Sequence, residues 1–198
     1  NVASAADEIG AQYVFISTDY VFAGNPDETP YFEDDPVSPV DYYAQTKYAG
    51  EQAAKIADDF TILRPSVIYG LSKPNFVTWA FSELRDGEDI GIVDDQISTP
   101  TYAPDLARAC VEVVEDGVTG VYHSAGPESL SRYEFTVKLA EVYGYDTDLV
   151  DPITTEELGQ EAPRPTDGSL DSSRLYDELG WEFNAPKDAF AEMKETKS

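Results

Sequence analysis

Short runs of β-forming residues alternate along this chain with segments of helical periodicity. Strands are predicted at residues 12–16, 60–64, 90–93, 121–123 and 149–153. Longer helices are predicted at 41–58, 75–85, 104–115 and 131–143, and shorter ones near 155–158, 172–179 and 186–194. Strands separated by helices of about ten or more residues are typical of βαβ units. The alternation therefore predicts an α/β fold with a mainly parallel sheet.

A glycine-rich turn that could cradle a dinucleotide is missing from this sequence. Residues 1–9 resemble the end of an amphipathic helix that no strand precedes. The nearest match to a dinucleotide fingerprint, Gly117-Val-Thr-Gly120, lies between a helix and a strand instead of opening a helix. No P-loop pattern occurs either. We therefore expect the chain to be the later part of a larger doubly wound protein.

The chain is strongly acidic, with 39 Asp and Glu against 13 Lys and Arg and a net charge of −26. Such a surface repels nucleic-acid phosphates and anionic membranes, which excludes both as expected partners. The acidic residues are spread from Asp7 to Glu195, and only seven lysines occur. Molar salt shortens the Debye length to about 3 Å and screens self-repulsion. We therefore predict a halophilic protein, with an acidic mesophilic protein as the alternative.

Cysteine and histidine usage predicts neither a disulfide nor a metal site. The single cysteine, Cys110, lies in the mostly apolar run 106–114, which predicts a buried position. The single histidine, His123, ends a predicted strand and is expected to be structural. No stretch approaches about 18 apolar residues, and no basic segment precedes an apolar one at the N-terminus. These observations predict a soluble, cytoplasmic protein.

Two segments carry side chains suited to acid–base chemistry. The motif Ser-Thr-Asp-Tyr at 17–20 directly follows the first predicted strand, and ligands of open parallel sheets bind beyond the carboxyl ends of strands. Tyr43 and Lys47 have helical i, i+4 spacing, which places their Cβ atoms about 5–6 Å apart on one face. A nearby ammonium lowers a tyrosine pKa from its usual value of about 10. Tyr43 is therefore predicted to be a general acid or base near neutral pH.

Each of these motifs is weak alone, but together they resemble a known family. Thr18, Tyr43 and Lys47 resemble the Ser/Thr-Tyr-Lys triad of extended short-chain dehydrogenases/reductases. The stretches ISTDYVFAG at 16–24 and YAQTKYAGE at 43–51 are similar to the dTDP-4-dehydrorhamnose reductase branch. Further similar motifs are LRPSVIYG at 63–70, NF at 75–76, DDQISTPT at 94–101, DLA at 105–107 and RP at 164–165.

The resemblance covers nearly the whole chain and implies its architecture. It implies the C-terminal part of a Rossmann-like, doubly wound parallel sheet together with a small mixed substrate-binding subdomain. Residues 1–70 would form the C-terminal half of the dinucleotide-binding domain. Residues 71–198 would form mainly the sugar-nucleotide region, with residues near 104–123 returning to the sheet.

The same resemblance implies an activity and roles for individual residues. The reaction would be reduction of the C4 keto group of dTDP-4-dehydrorhamnose to dTDP-L-rhamnose by NADPH or NADH. Tyr43 would protonate the carbonyl oxygen, Lys47 would hold the nicotinamide ribose, and Thr18 would hydrogen-bond the carbonyl. The other implied cofactor-binding residues are Ser17, Pro65, Ser66 and Val67, and the implied substrate-binding residues are Asp19, Tyr20, Asn75, Gln96 and Arg164. Arg164 is assigned to the diphosphate, since a guanidinium can hold phosphate oxygens bidentately.

Two departures from the family pattern leave alternatives open. Without a glycine fingerprint, the chain alone is expected to be inactive, and the choice between NADH and NADPH is not encoded in it. The motif RPSVI at 64–68 is more generic than the Thr- and Trp-bearing version of the rhamnose enzymes. One alternative is a regulatory subunit similar to the methionine adenosyltransferase beta subunit. Another is an epimerase or dehydratase, although Asp19-Tyr20 stands where a dehydratase needs an acidic pair. Homodimers are common in the family.

Overall fold

The computed structural model describes residues 2–160 and 162–196; residues 1, 161, 197 and 198, which fall within the ranges predicted above, lie outside this description. The helices are α1 (Val2–Glu8), α2 (Tyr42–Ala54), α3 (Phe76–Asp86), α4 (Ala103–Glu115), α5 (Arg132–Tyr143), α6 (Thr155–Leu158), α7 (Ser173–Leu179) and α8 (Pro186–Thr196). The strands are β1 (Tyr13–Ile16), β2 (Phe60–Arg64), β3 (Ser66–Tyr69), β4 (Ile90–Val93), β5 (Ile97–Ser98), β6 (Pro100–Tyr102), β7 (Gly120–His123), β8 (Leu130–Ser131) and β9 (Val150–Ile153).

A three-stranded parallel sheet with the order β1–β2–β7 organises the first half of the fold. Ile16 lies beside Leu63 across the first pairing, and Arg64 lies beside His123 across the second. Because the strands are parallel, their carboxyl ends meet at one edge of the sheet. The predicted α/β fold with a parallel sheet is confirmed.

One hydrophobic core lies under this sheet, where α4 and α7 pack against it. Leu63 from β2, Val113 from α4 and Leu175 from α7 are fully buried there. Each such side chain contributes about 1.5–3 kcal/mol through removal from water. This packing holds α4 and α7 against the sheet.

A second core joins α3, α5 and α8 to the parallel pair β4–β9. Its centre is the aromatic cluster of Tyr69, Phe135 and Phe190, whose ring centroids lie 5.0–5.6 Å apart. Helix α5 begins at the predicted cap, with Ser131 accepting from the Glu134 amide and Glu134 accepting in return. The cap fixes the start of α5, which faces the cleft described below.

The structure differs from the sequence predictions at several elements. Residues 66–69 form a strand, β3, that was not predicted and that pairs with β6. The short strands β5, β6 and β8 were not predicted, since two or three residues show no periodicity. The predicted helix 41–58 ends at Ala54. Cys110 is only half-buried at the edge of the first core, so the prediction of a buried thiol is wrong.

The longest helices among residues 2–160 and 162–196 are α2 and α4, of 13 residues each. None of the helices described there has the length and apolarity that a membrane span requires.

Candidate active site

A cleft of about 530 Å³ opens at the carboxyl ends of β1 and β2. The segments that follow these two strands enter it side by side, because parallel strands bring their ends to one edge. Most of the side chains that the sequence predicted for the site line this cleft, namely Ser17, Thr18, Asp19, Tyr20, Tyr43, Pro65, Val67 and Arg164. The structure therefore brings together residues that are up to 147 positions apart (17 to 164) in the sequence.

Helix α2 presents Tyr43 and Lys47 on one face, as their spacing predicted. Asp41 caps the helix by accepting a hydrogen bond from the Ala44 amide at 2.6 Å. The Lys47 ammonium lies 5.9 Å from the centroid of the Tyr43 ring and donates to the Ile16 carbonyl at 3.0 Å. Lys47 thus ties α2 to the end of β1, beside the Thr18 segment.

The electrostatics of Tyr43 differ from the prediction. Burial is the main influence and raises its pKa, and the negative groups Asp19 and Asp41 act in the same direction. A hydrogen bond with Thr18 opposes the rise. The predicted lowering by Lys47 is wrong, because the ammonium is directed at the Ile16 carbonyl and lies beside the ring. A raised pKa keeps the Tyr43 phenol protonated at neutral pH and able to act as an acid.

Behind Tyr43, Thr18 and Asp19 form a short hydrogen-bonded chain with Ser66. The Thr18 hydroxyl donates to Asp19 Oδ1 at 2.9 Å, and the Ser66 hydroxyl donates to Asp19 Oδ2 at 2.6 Å. Burial raises the pKa of Asp19 to about 6, although these two hydrogen bonds lower it. Both oxygens of this carboxyl group are therefore engaged within the protein.

The cleft wall at Val67 has a strained backbone. Val67 has φ of 39°, and the pairing of β3 with β6 shifts register between Ser66 and Ile68. A β-branched residue in the left-handed region is uncommon and costs about 1–3 kcal/mol. Such strain clusters at functional sites, and Val67 lies where the resemblance implies contact with the nicotinamide end of a cofactor.

Ser17 is held from below by a buried ion pair that the sequence analysis did not identify. Its hydroxyl donates to Glu51 Oε1 at 2.6 Å. The same carboxylate receives two hydrogen bonds from Arg64, at 2.9 Å and 2.8 Å, and the two side chains are 0% and 3% exposed. The pair links α2 to β2 under the cleft. Glu51 is the last residue of the motif at 43–51, and Arg64 is the second residue of the motif at 63–70.

Two guanidinium groups line the cleft. Arg164 donates to the Tyr20 hydroxyl at 2.9 Å, and the Tyr20 ring meets the Tyr43 ring edge-on at 6.0 Å. Arg132, the first residue of α5, also lines the cleft and was missed. The sequence signal that could have indicated Arg132 is its position directly after the predicted helix cap Ser131, in a chain with few basic residues. Guanidinium groups suit phosphate oxygens.

Four predicted residues are not among those that line the main cleft. The first is Lys47, whose ammonium lies beside the Tyr43 ring and bonds the Ile16 carbonyl. Ser66 faces Asp19. Gln96 lines a narrow recess that opens beside Asp19 and Tyr20, and its amide donates to Thr155 and Gln160 at 2.9 Å and 2.8 Å. Asn75 caps α3, bonds the Gly70 carbonyl and lines a separate cavity of about 490 Å³. The structure does not bring Asn75 to the cleft.

His123, at the end of β7, is completely buried and does not contribute to the cleft. Its Nδ1 pairs with the Asp171 carbonyl at 3.0 Å. Burial and the nearby Arg64 lower its pKa to about 3, so the ring is neutral at physiological pH. This environment fits the structural role that the sequence predicted.

The chain is similar to a family of known proteins. The chain matches the family described as RmlD substrate binding domain over residues 1–197. It is 38% identical over 191 residues to the spore coat polysaccharide biosynthesis protein SpsK of Bacillus subtilis, covering 96% of this chain and 66% of that protein. It is 33% identical over 186 residues to methionine adenosyltransferase 2 subunit beta of Xenopus tropicalis, covering 88% of this chain and 54% of that protein.

A solved structure is also similar. The dTDP-4-dehydrorhamnose reductase of Bacillus anthracis, determined in complex with NADP, superimposes with a TM-score of 0.90 at 32% identity. The match covers 98% of this chain and 69% of that one. The chain therefore spans between about half and two thirds of the length of the curated relatives described above.

Proposed function

Because the chain belongs to the RmlD substrate binding domain family, we propose that it is the catalytic and sugar-nucleotide-binding part of a reductase. The substrate is a nucleotide-activated deoxysugar with a keto group at C4, and dTDP-4-dehydrorhamnose, reduced to dTDP-L-rhamnose, is the first candidate. The observation that carries this proposal is the convergence of Thr18 and Tyr43 with two guanidinium groups at one cleft, with the Lys47 ammonium beside the Tyr43 ring. The relative of known structure that bears the name of this activity supports it.

The proposal assigns different binding tasks to two regions of the chain. Residues 1–70 contribute to the dinucleotide-binding domain, and residues 71–198 contribute mainly to sugar-nucleotide binding. Pairing of β7 with β2 supports the return of residues near 104–123 to the sheet. The separate core around Tyr69 and Phe135 supports a second unit beyond residue 70.

In this proposal the cleft takes the nicotinamide end of NADPH or NADH, which would supply a hydride when bound. The Lys47 ammonium, beside the Tyr43 ring, would hold ribose hydroxyls. Pro65 and the strained Val67 line the cleft. Tyr43 and the backbone at Ser17 complete this side. These 198 residues contain no glycine-rich turn for the dinucleotide diphosphate. We therefore assign that task to a separate segment of the whole protein.

The chain's own residues then perform the proton transfer. Tyr43, kept protonated by its raised pKa, donates its phenolic proton to the C4 oxygen as that oxygen gains negative charge. Thr18 holds the same oxygen by a hydrogen bond, which fixes the carbonyl relative to Tyr43. Arg132 and Arg164 bind the diphosphate, while Tyr20 lies between Arg164 and Tyr43 and separates the phosphate end from the reacting end.

The direct test is oxidation of NADPH or NADH by the full-length protein in the presence of dTDP-4-dehydrorhamnose. We expect turnover that depends on the sugar nucleotide, and none with the 198-residue chain alone. Turnover by the chain alone would contradict the need for a separate dinucleotide-binding segment. A full-length protein that reduces no 4-keto sugar nucleotide would contradict the reductase function.

A regulatory function is the second candidate, favoured by the 33% identity to a methionine adenosyltransferase 2 subunit beta. The same preparation distinguishes the two. A regulatory subunit would bind a methionine adenosyltransferase tightly and show no reductase turnover. The intact Thr18, Tyr43 and Lys47 favour the enzyme.

We also propose that the protein works at molar salt in the cytoplasm. Its net charge of −26 causes repulsion between surface carboxylates, and molar salt screens this repulsion. The thermal midpoint is expected to rise by several degrees from low-salt buffer to molar KCl, since screening relieves surface repulsion.

A charge variant separates this effect from a general effect of salt. Glu88, Asp89 and Glu115 are exposed, and their replacement by lysine removes repulsion without disturbing the cores. The triple variant is expected to be more stable at low salt and to gain less from KCl. Equal salt dependence of the variant and the original protein would contradict repulsion as the cause.

A further inference from the structure

The hydrogen bonds of Asp19 conflict with the task assigned to Thr18. A threonine hydroxyl carries one hydrogen, and Thr18 donates its hydrogen to Asp19 Oδ1 at 2.9 Å. While this bond exists, Thr18 can accept a hydrogen bond from Tyr43 but cannot donate one to a substrate carbonyl. An ionised Asp19, which has no hydrogen of its own, therefore competes with the substrate for the Thr18 hydrogen.

Protonation of Asp19 removes this competition. A neutral carboxyl group has one O–H donor and keeps an acceptor oxygen. Its Oδ1 hydroxyl can donate to Thr18 along the existing 2.9 Å contact, while Oδ2 continues to accept from Ser66 at 2.6 Å. The Thr18 hydrogen is then available to the cleft. The neutral form also removes a negative charge close to an oxygen that becomes negative during hydride addition.

We propose that Asp19 works in its protonated form, as a positioning residue that donates a hydrogen bond to Thr18 and thereby lets Thr18 donate to the C4 carbonyl oxygen. This inference rests on the proposed reductase function. It assigns Asp19 an action through Thr18, in keeping with a side chain that is only 3% exposed and has both oxygens engaged.

Burial shifts the equilibrium of Asp19 towards the neutral form. Burial raises its pKa to about 6, against the opposing effect of Ser66 and Thr18. A Cβ atom at position 168 would lie 3.1 Å from Oδ2, so Gly168 packs closely over the carboxyl group. The titratable groups that share its clefts are Tyr20 from its own segment, the α2 cap Asp41, Tyr43 from α2, Arg132 from α5, and Arg164. Lys47 of α2 lies beside the Tyr43 ring. From β3 the facing polar group is Ser66, which does not titrate.

Substrate binding shifts this balance further towards the acid. Arg132 and Arg164, which are assigned to the diphosphate, line the same cleft as Asp19, and negative charge placed near a buried carboxyl group raises its pKa. A diphosphate bound to them would neutralise both guanidinium groups and add negative charge near Asp19. The pKa of Asp19 is therefore expected to rise when a nucleoside diphosphate binds.

A carboxyl-carbon NMR titration of the full chain tests the protonation directly. The Asp19 signal is assigned by comparison with Asp19→Asn, and dTDP is the probe. We expect a midpoint near pH 6 without the probe and a higher one with it. A midpoint at the ordinary aspartate value that dTDP does not raise would overturn the proposal.

Kinetics of the full-length protein test the consequence. The kcat of the original protein is expected to fall as pH rises through the Asp19 pKa, because the ionised form then dominates. The side-chain amide of the Asp19→Asn variant retains a donor for Thr18 and an acceptor for Ser66, so the kcat of this variant is expected to stay within about tenfold of the original without that fall. Asp19→Ala is expected to lose more kcat than Asp19→Asn, with KM little changed.

Two results would contradict this role. One is an Asp19→Asn variant that keeps the original pH profile, and the other is a variant that loses as much kcat as Thr18→Val. Absence of turnover by the original protein would contradict the proposed function instead, and the NMR titration would still decide whether Asp19 is protonated.

Discussion

Replacement of Tyr43 by phenylalanine is expected to lower kcat of the full-length protein by roughly 10²–10⁴-fold, the usual contribution of a positioned general acid. The variant keeps the ring that packs edge-on against Tyr20 at 6.0 Å and removes only the phenolic hydroxyl. Because that hydroxyl acts on the carbonyl oxygen as charge develops, KM for the sugar nucleotide is expected to change little. Initial rates of NADPH or NADH oxidation at saturating dTDP-4-dehydrorhamnose measure the effect.

The chain offers a matched control one position away. Tyr42 also belongs to α2 but is 81% exposed, and it does not line the cleft. Tyr42→Phe makes the same chemical change and is expected to retain the original kcat. A Tyr43→Phe variant with more than about a tenth of the original kcat would show that another group protonates the oxygen, since a general acid contributes more than this.

Local patterns predicted the longer elements and the positions of the candidate catalytic residues within them. The motif at 17–20 was assigned to the carboxyl end of a strand, and β1 does end at Ile16. Tyr43 and Lys47 were placed on one helix face by their spacing, and their side chains do lie together. These predictions depend on the helical and strand periods, which neighbouring residues determine.

Predictions that depend on the direction of a long side chain or on burial were less successful. The Lys47 ammonium could reach either the Tyr43 phenol or a backbone carbonyl, and the packing of α2 against β1 decides for Ile16. The sign of the Tyr43 pKa shift follows from that choice and from burial. Spacing on one helix contains neither piece of information.

Arg132 and the left-handed Val67 show a further limit. Arg132 lines the cleft because α5 begins there. The preceding strand β8 pairs with β5, and strands this short show no sequence period that would predict the pairing. Val67 adopts φ of 39° without being glycine, so its residue type indicates the opposite conformation. In both cases the position depends on pairing with a strand that is more than 30 residues away in the sequence.

Loss of the buried Glu51 charge is expected to be the most destabilising change considered for this chain. Glu51→Gln preserves the size of the side chain but leaves the Arg64 guanidinium, only 3% exposed, without its counter-charge. Removal of one partner from a buried ion pair costs about 3–5 kcal/mol. The free energy of unfolding, measured by urea denaturation at constant KCl, is expected to fall by this amount. Asp86→Asn, which breaks the exposed pair with Arg85, is the control and is expected to leave the free energy of unfolding unchanged.

A double variant separates the charge from the packing. Glu51→Leu combined with Arg64→Met removes both charges while filling much of the same space, and replacement of a buried pair by apolar residues is often neutral. Its free energy of unfolding is therefore expected to recover most of the loss. Molar KCl is not expected to rescue Glu51→Gln relative to the original protein, because salt screens exposed charges and not buried ones. A single variant as stable as the original would show that Arg64 needs no partner, and the ion pair would then serve only to hold the Ser17 hydroxyl, 2.6 Å from Glu51, at the cleft.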